Sequence, residues 1–271
     1  MPSTYRLLIT PAWDGAKNMA VDEAILHALA DGKGKPTLRF YQWNPPCLSL
    51  GFGQRYREVD ESACKKLGYS IVRRPTGGRA ILHKNEFTYS FITSQNDTIV
   101  AGDILKSYRH LSQGLLLGLK KLGVDAVQAK GNMPKNHHQG AACFDTPSHY
   151  EVTTNGKKLI GSAQLRRRGI VLQHGTLPLF GDITDIFDLL SYTHAEKSTM
   201  RKDLSAHATT LESLFHERIS FENVANCMQH GFTESLNLSF IHAPLNKHET
   251  FLAKRFHDEQ YAHDDWNKRR M

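Results

Sequence analysis

The stretch that most constrains this chain is Ile71-Val72-Arg73-Arg74-Pro75-Thr76-Gly77-Gly78-Arg79-Ala80-Ile81-Leu82-His83. Apolar, β-prone runs flank a Pro-Thr-Gly-Gly turn, which predicts two short buried strands joined as a hairpin. Pro75 fixes its own φ and pushes Arg74 toward extended geometry. Gly77-Gly78 lets the backbone approach a ligand closely. Arg73, Arg74 and Arg79 offer planar forks suited to phosphate or carboxylate. The plain alternative is an ordinary hairpin with solvated arginines.

The rest of the chain is read around that turn. Residues 18–29 place Val21, Ala24, Ile25, Ala28 and Leu29 on one helical face. Asp22 and Glu23 fall in its first turns, where the helix dipole favours acids. Strands are expected at 37–43 and 47–53, and a short helix at 59–67. Glu86 to Thr93 alternates as a half-buried strand does. Asp103 is the expected N-cap of a long helix whose buried face carries Ile104, Tyr108, Leu111, Leu115, Leu119 and Leu122. A strand at 124–128 and a polar loop at 130–140 follow it.

Asn155-Gly156 between β-prone runs signals a hairpin over 150–164, and 169–179 is a further strand. Helices are expected at 182–190, 209–217, 222–235 and 247–261, with Thr209 and Glu212 as a capping box. Hairpins rather than repeated βαβ units imply an α+β fold, a mainly antiparallel or mixed sheet flanked by helices. Length implies one large domain with a small appendage, here expected as 1–240 and a helical tail, 241–271, packed on it.

Composition excludes several classes. With 40% hydrophobic and 23% charged residues the chain suits a globular protein. It has neither a run of about 20 apolar residues nor a secretory layout at its start, so a cytoplasmic location without a membrane is expected. The net charge of +7 favours acidic partners. Nucleic acid would also want aromatic residues interleaved with the basic ones, and that pattern is missing. His83, His137, His138, His149 and His174 fall at no metal-ligand spacing, so no metal is expected.

Four scattered cysteines make no disulfide framework. Cys47, Cys64 and Cys227 read as packed thiols. Cys143 follows a polar loop and two alanines, so it can sit at the mouth of a site. Lys158 lies on the hairpin that follows, and a neighbouring ammonium lowers a thiol pKa from about 8.5 toward 3.5–7.5. The small residues Gly161, Ser162 and Ala163 would keep a channel open or admit a ligand.

Together, Arg73-Arg74-Pro75-Thr76-Gly77-Gly78-Arg79-x-x-x-His83 and Lys158-x-x-Gly161-x-Ala163 resemble the biotin/lipoate protein ligase and octanoyltransferase superfamily. Ala142-Cys143-Phe144-Asp145-x-Pro147-Ser148-x-Tyr150-Glu151 is similar to the cysteine motif of its LipM-type octanoyltransferases. The resemblance implies a biotin/lipoate protein ligase catalytic-domain fold. It also implies octanoyl transfer from acyl carrier protein, through a Cys143 thioester, to a lysine of a lipoyl domain such as glycine cleavage H protein.

Under it, Cys143 is the nucleophile and Lys158 its activator. Residues 73–79, His83 and the segment Gly161-Ser162-Ala163 line the acyl and pantetheine tunnel. No cofactor is implied beyond the substrate's octanoyl-phosphopantetheine arm, and the enzyme is expected to act as a monomer. Two relatives stay open: an ATP-dependent lipoate–protein ligase, which usually carries glycine where Arg79 stands, and an amidotransferase between lipoyl domains.

Overall fold

A computed structural model describes residues 2–129, 142 and 151–270. Among the described residues, eight strands form the main sheet in the order β11-β1-β2-β6-β10-β9-β8-β7. They are β1 (Ser3–Ile9), β2 (Thr37–Tyr41), β6 (Glu86–Ser94), β7 (Val127–Gln128), β8 (Val152–Thr154), β9 (Lys157–Arg167), β10 (Ile170–Pro178) and β11 (Leu238–His242). Pairing is parallel for β11-β1 and β1-β2 and antiparallel from β2 to β7. A second sheet has the order β4-β3-β5, with β3 (Cys47–Leu50), β4 (Ser70–Arg73) and β5 (Ile81–His83). The α+β expectation, with a mixed sheet and flanking helices, is met.

The eight α-helices among the described residues are α1 (Gly15–Ala30), α2 (Glu61–Lys66), α3 (Ile104–Lys121), α4 (His194–His207), α5 (Leu211–Phe215), α6 (Phe221–Leu236), α7 (Lys247–Phe256) and α8 (Asp264–Asn267). None is long and apolar enough to cross a membrane. Helices α3 and α6 cover one face of the main sheet, where Leu111, Leu115, Met228 and Phe232 meet Phe87, Tyr89 and Phe91. Helix α1 covers the other, packing Val21 and Ile25 on Leu8, Ile92 and Leu172. Strand β6 is therefore buried on both faces rather than half-buried, because residues of both parities meet a helix. The α3–α6 contact needs glycine: a Cβ on Gly231 would lie 2.3 Å from the Gly114 carbonyl oxygen.

Several expectations change. The 71–83 stretch is no hairpin. β4 and β5 do not pair with each other; β3 lies between them, parallel to β4 and antiparallel to β5. Helix α1 starts at Gly15, capped by Asp14, so Asp22 and Glu23 lie mid-helix and buried. Asp22 meets Arg39 at 2.7 Å, and Glu23 accepts from Tyr261 at 2.7 Å, so buried partners rather than the dipole hold both acids.

Ile104 is 49% exposed, because α3 meets the sheet only from Ser107 on. Thr210, not Thr209, caps α5, while Glu212 accepts from Gly181 N and Arg218 instead of closing a box. Residues 183–189 form a 3-10 helix rather than an α-helix.

The chain's end packs back on its start. Arg6 clasps Glu249 through two hydrogen bonds of 2.6 and 2.7 Å, both side chains being buried. From there α7 lies along α1, where Leu252 and Phe256 join Met19, Ala24 and Ala28 in one cluster.

Candidate active site

The turn between β4 and β5 is stitched from within. Arg74 donates to the carbonyls of Ser49, Gly77 and Arg79 at 3.1, 2.9 and 2.7 Å. Arg73 donates to the carbonyls of Gly51 and Gln54 at 2.9 and 2.6 Å, and twice to that of Asn267. Burial, with Arg269 and Arg270 nearby, pushes its guanidinium down to about 10, still charged at neutral pH.

Two of the three arginines are therefore spent on backbone carbonyls instead of presenting forks to a ligand: Arg74 on the turn's own, Arg73 on those of the 51–54 loop and Asn267. Those carbonyls have lost water and need donors. Arg79 is half-buried, and its side chain has no hydrogen bond or ion pair among the described residues. Gly78 sits at φ +93°, and a Cβ on Gly51 would fall 1.8 Å from its carbonyl oxygen. The turn and the 51–54 loop thus touch backbone to backbone.

Behind the turn lies a cavity of about 220 Å³. That exceeds the ~150 Å³ space that holds a benzene. Gly78, Arg79 and Ile81 form one side, and Gly161, Ser162 and Ala163 another. Met19, Tyr41 and Trp43 supply apolar surface. The predicted glycine turn and small-residue strand thus face a common space.

His83 stands on that wall but is fully engaged. Its ring stacks on Trp43, with centroids 3.9 Å apart and 7° between planes. Nδ1 lies 2.6 Å from Glu86 Oε1 and Nε2 lies 2.8 Å from Ser49 Oγ. A carboxylate at Nδ1 calls for a proton there, leaving Nε2 to accept from Ser49. Thr88 donates to the same Glu86 oxygen at 2.5 Å and accepts from Trp43 Nε1 at 2.8 Å.

Thr76 is buried, with its hydroxyl 2.6 Å from His174 Nε2. His174 Nδ1 lies 3.8 Å from Asp22 Oδ2. Burial lowers the His174 pKa, so the ring is neutral, despite the opposing pull of Asp22. Burial also works against the Asp22 carboxylate, but Arg39 and His174 outweigh it and hold its pKa low.

Lys158 is 4% exposed, and its ammonium bonds the Glu151 carboxylate. The register between β8 and β9 shifts beside it. Leu159 and Ile160 both enter the core there. The irregularity therefore returns Lys158 to the face of Gly161 and Ala163, as a bulge does. Lys158 also bridges to Ala208.

Cys143 lies outside the described residues. Ala142, the residue before it, forms a parallel bridge with Ala80, next to Arg79. Ala80, Ala142 and Ala208 share one apolar cluster. The turn, the residue before Cys143 and the backbone neighbour of Lys158 thus converge.

The other thiols are poor nucleophiles. Burial pushes Cys47 up to about 12 and Cys64 up to about 11, and raises Cys227 as well. Sequence reasoning missed Glu151, Asp22 and the Glu86 network. Glu151 had a signal, since it closes the cysteine motif. Asp22 read only as an acid in the first turns of a helix, favoured by its dipole.

A model of the lipoyl protein ligase A/B catalytic domain matches residues 14–233. The chain belongs to this family. Within the lipoyl protein ligase A/B family, octanoyltransferase LipM of Kyrpidia tusciae is 42% identical, covering 98% of this chain and 99% of its own. Octanoyltransferase LipM of Moorella thermoacetica is 40% identical over the full length of both chains.

A chain from the structural analysis of an archaeal lipoylation system, a bipartite lipoate protein ligase and its E2 lipoyl domain from Thermoplasma acidophilum, has a TM-score of 0.81 at 25% identity. The alignment spans 100% of this chain and 98% of that one. A lipoate-protein ligase A bound with ATP has a TM-score of 0.79 at 25% identity, over all of both chains. The biotin/lipoate ligase fold expected from the motifs is the fold observed.

Proposed function

We propose that this chain is a protein N-octanoyltransferase of lipoate synthesis. Its octanoyl group arrives as a thioester on the phosphopantetheine arm of acyl carrier protein. The Cys143 thiolate attacks the thioester carbonyl. A new C–S bond forms, the carrier's C–S bond breaks, and the carrier thiolate takes up a proton. A neutral lysine amine on a lipoyl domain, such as that of glycine cleavage H protein, then attacks the Cys143 thioester. The amide forms, Cys143 leaves as thiolate, and the amine proton passes to solvent. The thiolate divides one hard transfer into two easier ones.

The observation that carries this reading is the bridge between Ala142 and Ala80, beside the arginine-glycine turn and in one cluster with Ala208 of the Lys158 bridge. An ammonium held there by Glu151 suits a thiolate partner. The high values of Cys47 and Cys64 leave Cys143 as the better nucleophile. Full-length relatives named octanoyltransferase LipM support the reaction class. A structural neighbour from a lipoylation system that pairs a lipoate protein ligase with its E2 lipoyl domain supports that acceptor class. The basic surface suits an acidic carrier protein. The division into a catalytic domain, 1–240, and a docked tail, 241–271, belongs to the same reading, supported by the Arg6–Glu249 clasp.

Intact mass after incubation with octanoyl-acyl carrier protein tests it. The expected result is a gain of one octanoyl group, absent in Cys143→Ala and indifferent to ATP. An ATP-dependent acyl-adenylate with no protein adduct overturns it in favour of a ligase.

A further inference from the structure

The cavity wall treats its polar groups unequally. Tyr41, Trp43, His83, Thr88, Ser162 and His174 each have a protein partner within the fold. Thr176, on the same wall, is 1% exposed, and its hydroxyl finds no partner among the described residues. Its cross-strand neighbour makes the contrast sharp. Thr88 lies opposite Thr176 in the register of β6 and β10, and its hydroxyl both donates and accepts.

A buried hydroxyl without a partner is costly and uncommon in native folds. Its position gives it a use. On the other side, Thr176 pairs with Gly161 of β9, three residues from Lys158. His174, two residues earlier, pairs with Ala163, farther from Lys158. Of these wall residues on β10, Thr176 is thus nearest in register to the reacting end. An acyl chain in this cavity has one polar atom to place, its carbonyl oxygen.

We propose that Thr176 is a further catalytic residue, whose hydroxyl donates a hydrogen bond to the acyl carbonyl oxygen as it gains negative charge. This rests on the transferase reading above. A donor set in place before the reaction needs no reorganisation when charge develops. In surroundings less polar than water such a bond is stronger than it would be in solution.

The test is Thr176→Val, which keeps the branched shape and removes the hydroxyl, beside Thr176→Ser, which keeps it. Single-turnover octanoyl transfer and Tm are measured on both. The expected result is a fall of about 10²-fold in the transfer rate of Thr176→Val. Its Tm should stay equal or rise, and Thr176→Ser should keep most of the rate. Wild-type rates in Thr176→Val overturn the proposal, as does a parallel loss of rate and Tm. Wild-type protein that accepts no octanoyl at all sinks the transferase reading instead, so the two failures are told apart.

Discussion

Asn267 and Arg73 are joined at three points. The Asn267 side chain accepts from the Arg73 backbone N–H at 2.7 Å, and its carbonyl takes two guanidinium N–H groups at 3.1 and 2.9 Å. Trp266 adds a bond of 2.8 Å to the Arg73 carbonyl. The last helix therefore fixes the end of β4, from which the arginine-glycine turn departs.

Asn267→Ala leaves the buried Arg73 N–H without its acceptor. The expected loss is about 1–3 kcal/mol of stability. Urea unfolding measures it, and an unchanged midpoint would refute the clamp.

The Lys158–Glu151 pair is buried on both sides. Lys158→Met strands a carboxylate, at an expected cost of about 3–5 kcal/mol. Adding Glu151→Met should restore most of the melting temperature but no octanoyl transfer, since the ammonium is still missing. Recovery of transfer in the double variant would show that Lys158 serves only structure.

His174 should impose a pH dependence on stability. Its folded-state pKa lies below the ordinary 6.5 because the ring is buried. Above 6.5 folded and unfolded states are both neutral, and this residue gives no slope. Below 6.5 the unfolded chain takes up a proton that the folded chain refuses. Stability therefore falls with pH until the folded value is reached. His174→Gln should flatten the decline between pH 6.5 and 5 in a denaturation series, and an unchanged slope would contradict the assignment.

Gly231→Ala drives a methyl into the backbone of α3, 2.3 Å from the Gly114 oxygen. Helices cannot yield there as a side chain would. A loss of about 1–3 kcal/mol is expected, read as a lower Tm.

Much of the fold was legible because it is local. Helix α3 announces itself by Asp103 and the spacing of Leu111, Leu115 and Leu119, and the β8–β9 hairpin by Asn155-Gly156. What escaped notice is non-local or lacks contrast. Strand β11 pairs with β1 across almost the whole chain, so nothing near Leu238 marks it. Helix α4 buries only Leu204 and shows no apolar stripe.

The site divides in the same way. The glycine turn, Lys158 and Gly161-Ser162-Ala163 were visible as residue types at fixed spacing. Whether an arginine faces a ligand or a carbonyl depends on loop 51–54, which sequence order does not bring near. Nor does a threonine's spelling reveal that its hydroxyl lacks a partner.

The interposed strand β3 turns the motif into a ruler. Residues 74–80 must cross two inter-strand gaps, about 10 Å in all, before β5 begins. Deleting one of them would pull β5 along by one position, and every side chain on it would swap faces. His83 would leave the Glu86 carboxylate and turn its back on the cavity. The distance along the chain from Arg73 to His83 is thus itself part of the proposed site, as tightly specified as any side chain in it.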